Sequence, residues 1–168
     1  KGYSIIAKPF SVGVRIEHLR SDIEYALYGK HAGDPRLGAA EYALSDTKSG
    51  RGVYTFCMCP GGEVIAASSE SGGLVVNGMS RHARDGVNSN AAVAVSVAPT
   101  DYDGTPLGAI EFQRDLERKA YSLGGGNYSA PVELLGDFLC EKESNLSTPN
   151  RITPSYTRQM SKVADLSK

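Results

Sequence analysis

The chain has no tryptophan, no apolar run approaching the length of a bilayer span, and no excess of charge of either sign. A membrane-crossing helix needs about 20 consecutive, mostly apolar residues, so no segment qualifies. The opening Lys1-Gly2-Tyr3-Ser4-Ile5-Ile6 is too short and too weak for a secretory signal. Eighteen basic and 19 acidic residues leave a formal net charge of −1, without the basic footprint of a nucleic-acid or acidic-membrane binder. Cysteine is scarce, and three thiols cannot all pair. In a regular strand Cys57 and Cys59 would project side by side with Cα atoms roughly 6.5–7 Å apart, at or beyond the disulfide limit. Reduced thiols in a cytoplasmic protein are the expectation. Phosphate-binding motifs are missing too. There is no G-x-x-x-x-G-K-S/T run, and Gly124-Gly125-Gly126 follows a helical pattern instead of joining a strand to a helix.

What is present is ordinary globular composition in 168 residues, 40% of them hydrophobic and 19 of them glycine. That suits one domain with a real core, plus at most a tail. Residues 8–18 alternate, with Val12, Val14 and Ile16 on one face and Ser11, Gly13, Arg15 and Glu17 on the other, which predicts a strand. Ser21-Asp22-Ile23-Glu24 has the form of a capping box, and a brief helix to Gly29 follows from it. Residues 30–40 read as loop. Tyr42 and Leu44 suggest a strand that Ser49-Gly50-Arg51-Gly52 turns into the apolar run Val53–Cys59. Pro60-Gly61-Gly62 turns that run into Glu63–Ala67, and Ser71-Gly72-Gly73 turns again into Leu74–Gly78. Short strands at tight glycine turns predict an antiparallel meander over 41–78. Ala91, Val93, Val95 and Val97 mark one more strand.

After Pro99 the period changes. Thr105-Pro106 predicts a helix start, and Ala109, Phe112, Leu116, Ala120 and Leu123 its inward face. Pro131 is expected to open another helix. From Ser144 the sequence is Ser/Thr/Pro/Asn-rich. The expectation is therefore an α+β fold, an antiparallel or mixed sheet with helices mainly on one face, spanning residues 1–143. Residues 144–168 are read as a connector or tail.

The candidate chemistry gathers around the central run. The pair Cys57 and Cys59 lacks the spaced partners of a zinc site, because Cys140, His18, His31 and His82 show no ligand spacing, so no metal is expected. It also lacks the Cys-x-x-Cys spacing of a thioredoxin-like site, and small buried hydrophobes are the plainer reading. Around Ser80, His82 stands where a nucleophile elbow needs glycine, which disfavours a hydrolase. A polar cluster remains, comprising Ser69-Glu70, Asn77, Ser80-Arg81, Arg84-Asp85 and Asn88-Ser89-Asn90. It reads either as a solvated loop with an internal Arg–Asp pair, or as Asn77, Ser80 and Arg81 converging on a ligand beside the Pro-Gly-Gly turn.

Several runs carry a resemblance: Lys8 through His18, Gly52 through Gly62 with its Cys-Met-Cys-Pro-Gly-Gly, Val76-Asn77-Gly78-Met79-Ser80, Asn88-Ser89-Asn90, Phe112-Gln113, Asp137-Phe138-Leu139 and Pro154-Ser155-Tyr156. From about Lys8 to Tyr156 the chain resembles a family of bacterial uncharacterised FAD-dependent dehydrogenases, and within them a central domain without the flanking FAD-binding segments. The resemblance implies a flavoprotein oxidoreductase with an FAD-binding domain in cis, a small-molecule substrate, and neither nucleic-acid nor membrane partners. It implies that Pro60, Gly61 and Gly62 lie near the flavin and that Asn77, Met79 and Ser80 lie near substrate. Cys57, Cys59, Glu70 and Arg81 become the catalytic candidates, with Arg81 suited by type to an anionic substrate and Glu70 to proton transfer. The doubling of glycine at the turn reads as room for a ligand to approach the backbone. A non-catalytic binding or oligomerisation domain is the alternative.

Overall fold

The computed structural model describes residues 2–144, 152–156 and 158–167. In chain order the elements are β1 (Phe10–Leu19), α1 (Arg20–Tyr28), β2 (Ser45–Asp46), β3 (Val53–Cys59), β4 (Gly62–Ala66), β5 (Val76–Ser80), β6 (Asn88–Val97), α2 (Pro106–Leu123), β7 (Ala130–Val132), α3 (Leu135–Leu139) and β8 (Arg158–Met160). The fold is α+β with antiparallel main sheets, as expected.

The principal sheet has the order β1-β6-β3-β2. The alternation of Val12, Val14 and Ile16 does produce a strand, and it pairs along its whole length with β6, from Phe10 opposite Val97 to Leu19 opposite Asn88. β6 then pairs with β3 on its other edge. The meander is broken at Pro60-Gly61-Gly62. β3 takes β6 as its neighbour, while β4 leaves the sheet and pairs with β5 as a separate two-stranded ribbon. The Pro-Gly-Gly turn is thus a corner between two layers and not a hairpin. β6 also begins earlier than its valines indicate, so Asn88, Ser89 and Asn90 are strand residues and all three are buried.

Two helix starts differ from the sequence reading. α1 starts at Arg20 with no side-chain cap, and Arg20 instead makes an i,i+4 pair with Glu24 at 2.5 Å. Pro131 opens no helix. It lies within β7, which runs parallel to β8. The α2 start is as expected, since the Thr105 hydroxyl accepts from Gly108 N at 2.9 Å, a cap typically worth about 1 kcal/mol. Its face seats Phe112 against Phe10 and Tyr102, with ring centroids 5.9–6.3 Å apart.

The C-terminal segment touches the sheet. Ser155 Oγ accepts from Val64 N at 2.7 Å, and Ser155 N donates to both Glu17 carboxylate oxygens at 3.2 Å. The Asn88 side chain donates to Thr153 O at 2.9 Å. Yet the core is small. None of α1, α2 and α3 has a fully buried residue. The accessible surface is 11069 Å², against about 8,000 Å² expected of a compact monomer of this mass.

Candidate functional site

β3 does not run straight to its end. Phe56 faces Ala92 and Cys59 faces Asn90, so two residues, Cys57 and Met58, oppose Ala91 alone. This is a β-bulge, and its first residue, Cys57, has φ +50°. That left-handed position is ordinarily glycine's, because a Cβ there crowds the backbone at a cost of about 1–2 kcal/mol. The bulge turns Cys57 out to solvent while Cys59 stays buried. The Cys59 thiol donates to the Cys57 carbonyl oxygen at 3.3 Å. Burial, and then the neighbouring Cys57 sulfur, push the Cys59 thiol up, and the Arg15 guanidinium opposes them.

Arg15 is the hub of this region. From the polar face of β1 its Nη1 donates to Asn90 Oδ1 at 2.5 Å and to Cys57 O at 3.2 Å, and its Nη2 reaches Asn77 Oδ1 at 3.3 Å. One side chain therefore links β1 to β6, β3 and β5. The approach depends on Gly78, where a Cβ would stand 2.2 Å from both Arg15 Nη1 and Asn90 Oδ1. Asn90 is wholly buried, and its Nδ2 has no partner among the described residues. On β3 and β5, the strands that Arg15 reaches, Phe56 and Met79 are 65% and 56% exposed, and Cys57 and Asn77 are exposed too.

The Pro60-Gly61-Gly62 corner is enclosed by its own chain. Gly61 N donates to the buried Ser89 Oγ at 3.0 Å, and Gly61 O accepts from Gly86 N at 3.2 Å. The Ser80 hydroxyl donates to Pro60 O at 2.9 Å. A Cβ on Gly62 would lie 2.7 Å from Met79 O and 2.9 Å from both Cys59 Cβ and Ser80 Oγ. What approaches the second glycine is therefore β5. All three corner residues are buried.

Of the sequence candidates, Cys57, Cys59 and Asn77 come together around Arg15, and Ser80 joins the corner. Glu70 is engaged elsewhere. Arg114 of α2 grips it with three donated bonds of 2.8–3.1 Å, which hold its carboxyl below the usual range. Arg81 is 77% exposed and pairs with Glu63 at 3.2 Å. Arg84 bonds to Glu41 rather than to Asp85. Sequence reasoning missed Arg15 and the burial of Asn90. The only available signal was a cationic residue within the polar alternation of β1, and its partners lie 42 to 75 residues away.

Comparison with known proteins gives this geometry a context. The family described as "FAD-dependent protein, C-terminal domain-like" matches residues 9–168. The chain belongs to this family. A Clostridium beijerinckii protein described as uncharacterized is 52% identical over 157 residues, which covers 92% of this chain and 29% of that protein. The chain thus spans under a third of the relative's length.

The described residues suit one part of FAD better than the other. No strand–glycine turn–helix cradle for a pyrophosphate lies among them. The rim does offer an exposed apolar edge beside an arginine and an asparagine, which is a fit for a ring system that gains negative charge on reduction. Among the described residues no cluster of three metal-ligating side chains occurs, and no helix is long and apolar enough to cross a membrane.

Proposed function

We propose that this domain is the flavin- and substrate-facing part of an FAD-dependent oxidoreductase of the dehydrogenase type. The observation that carries the reading is the rim around Arg15. There the exposed Cys57 and Asn77 are tied to a guanidinium fixed on three strands, and the exposed Phe56 and Met79 belong to two of those same strands. FAD supplies the electron-accepting ring. Arg15 and Asn77 orient a polar or anionic group at its edge, and Phe56 and Met79 exclude water from its face. Most of the dinucleotide is held by an FAD-binding domain in cis, outside this chain. The excess of exposed surface supports such a covering domain.

The corner glycines keep a supporting role in this reading, because they hold β5 and hence Asn77 and Met79 in place. Glu70 and Arg81 are not among its working residues. The test is made in the full-length parent with Arg15→Gln. Flavin stoichiometry should stay at one, while the flavin midpoint potential falls and reduction slows at least tenfold. Unchanged potential and rate in a folded, flavin-loaded variant would overturn the proposal.

The same exposed surface gives a second reading some support, that of a purely structural oligomerisation domain. It expects the isolated chain to self-associate, whereas the flavin-facing reading expects a monomer that keeps no flavin. Sedimentation at several concentrations separates them.

A further inference from the structure

The bulge in β3 changes what a Cys-x-Cys pair can do. In a regular strand both sulfurs stand at the limit of disulfide reach. Here the extra residue and the left-handed Cys57 break that geometry. The Cys59 sulfur comes to 3.3 Å from the Cys57 carbonyl oxygen. One thiol is exposed and the other buried behind it. That is the division of labour between an attacking and a resolving cysteine, since the attacking thiol needs access and the resolving one needs only its neighbour. A residue other than glycine also occupies the left-handed position of this bulge, where glycine would fit without strain. Held strain of this kind is found at working groups.

We propose that Cys57 and Cys59 form a redox-active dithiol that reduces low-molecular-weight disulfides, with Cys57 attacking and Cys59 resolving. The inference goes beyond the flavin reading and does not need it. The Cys57 thiol passes its proton to water, and its sulfur attacks one sulfur of the small disulfide. That S–S bond breaks, one small thiolate leaves, and a mixed disulfide remains on Cys57. Cys59 then loses its proton, gives up its bond to the Cys57 carbonyl, and attacks Cys57 Sγ. The mixed disulfide breaks and the second small thiolate leaves. Two electrons have moved from the protein pair, now a disulfide, to the small disulfide, now two thiols. Arg15, bonded to the Cys57 carbonyl at 3.2 Å, is a positioning residue that holds the bulge against β1.

The test uses the reduced chain with Cys140→Ser, which removes the other exposed thiol, and oxidised glutathione as the probe. Peptide mapping should find a Cys57–Cys59 disulfide and two equivalents of glutathione thiol released. Cys59→Ser should stop at glutathione bound to Cys57, and Cys57→Ser should give neither product. Resolution should leave the Cys59-containing chain with less than about a tenth of the mixed disulfide that Cys59→Ser accumulates. Both thiols remaining free at excess probe would overturn the proposal. So would a mixed disulfide that persists to the same level with Cys59 present, or first attack at Cys59. If either serine variant fails to fold, mapping the chain that keeps both thiols still decides between these outcomes.

Discussion

Arg15 donates to the side-chain oxygen of the fully buried Asn90 at 2.5 Å, and no other residue in the described structure joins β1 to β3, β5 and β6 at once. The bond also fixes which way the Asn90 amide points, because a guanidinium has no acceptor to offer its nitrogen. Removing the arginine leaves a second orphan beside Nδ2. Arg15→Leu should cost about 2–3 kcal/mol, the desolvation of an unsatisfied buried carbonyl and a lost charge-assisted bond. A double-mutant cycle with Asn90→Ala, read by urea denaturation, should return a coupling of about 1–2 kcal/mol. Additive losses would remove Arg15 from its place as the hub.

The corner glycines should behave as fold residues. Gly61 has φ +55° and a Cβ there would lie 2.1 Å from Arg84 O, while one on Gly62 meets Met79 O at 2.7 Å. Backbone atoms cannot swing away as a flexible side chain can. Gly61→Ala and Gly62→Val should each lower stability by about 3 kcal/mol or more. The thermal midpoint of the isolated chain reads this directly. A Gly62→Val variant with unchanged stability and damaged flavin chemistry in the parent would restore a ligand to that position.

Cys57→Gly should leave stability within about 1 kcal/mol of the parent chain, since relief of the left-handed strain offsets the greater freedom of glycine in the unfolded state. Cys57→Val, β-branched at φ +50°, should lose about 2 kcal/mol or more. Urea midpoints at one pH compare all three. A large loss with glycine would mean that the Cys57 side chain is needed for packing.

Asp101 ties the start of the α2 region to the β2–β3 turn through Arg51 at 2.6 and 2.8 Å. The Arg51 guanidinium, and then the Ala98 backbone N–H, hold its carboxyl at about 2 against an ordinary 3.8. A folded value below the unfolded one stabilises above the unfolded value, and that stabilisation is lost as pH falls through the folded one. The midpoint difference between the parent chain and Asp101→Asn should therefore be constant at neutral pH. It should shrink below about pH 4, be mostly gone near pH 2 and vanish only below that. A difference that persists unchanged to pH 2 would dismiss the ion pair as its source.

Local chemistry was readable where it closed on itself. The Thr105-Pro106 start, the glycine stop after Leu123 and the strand β1 all depend on neighbours within a few residues and all appear in the structure, although Val14 is exposed and Arg15 half-buried. Partners across long separations were not readable. Pro60-Gly61-Gly62 looks like a hairpin turn until β6 takes the edge of β3 that a hairpin would have filled. Pro131 looks like a helix opener because proline suits both a helix start and an edge strand, and only pairing with β8 decides it. The bulge was hidden for the same reason. Nothing within Val53–Cys59 announces an unpaired residue, and the glycine that would have marked a left-handed position is a cysteine. The engagement of Glu70 was equally hidden, because its partner, Arg114, belongs to a helix 44 residues on. Arg15 was overlooked because a cation on the polar face of a strand is usually solvated.

β1 has one sheet neighbour, β6, and pairs with it from Phe10 opposite Val97 onward. During synthesis that partner does not exist until Val97 has left the ribosome, on the order of ten seconds after β1 itself at ordinary elongation rates. For that interval a ten-residue strand carrying Val12, Val14 and Ile16 is an open edge in the nascent chain. Pairing of β1 therefore waits on the emergence of β6, and any agent that shields nascent chains has β1 as a natural client.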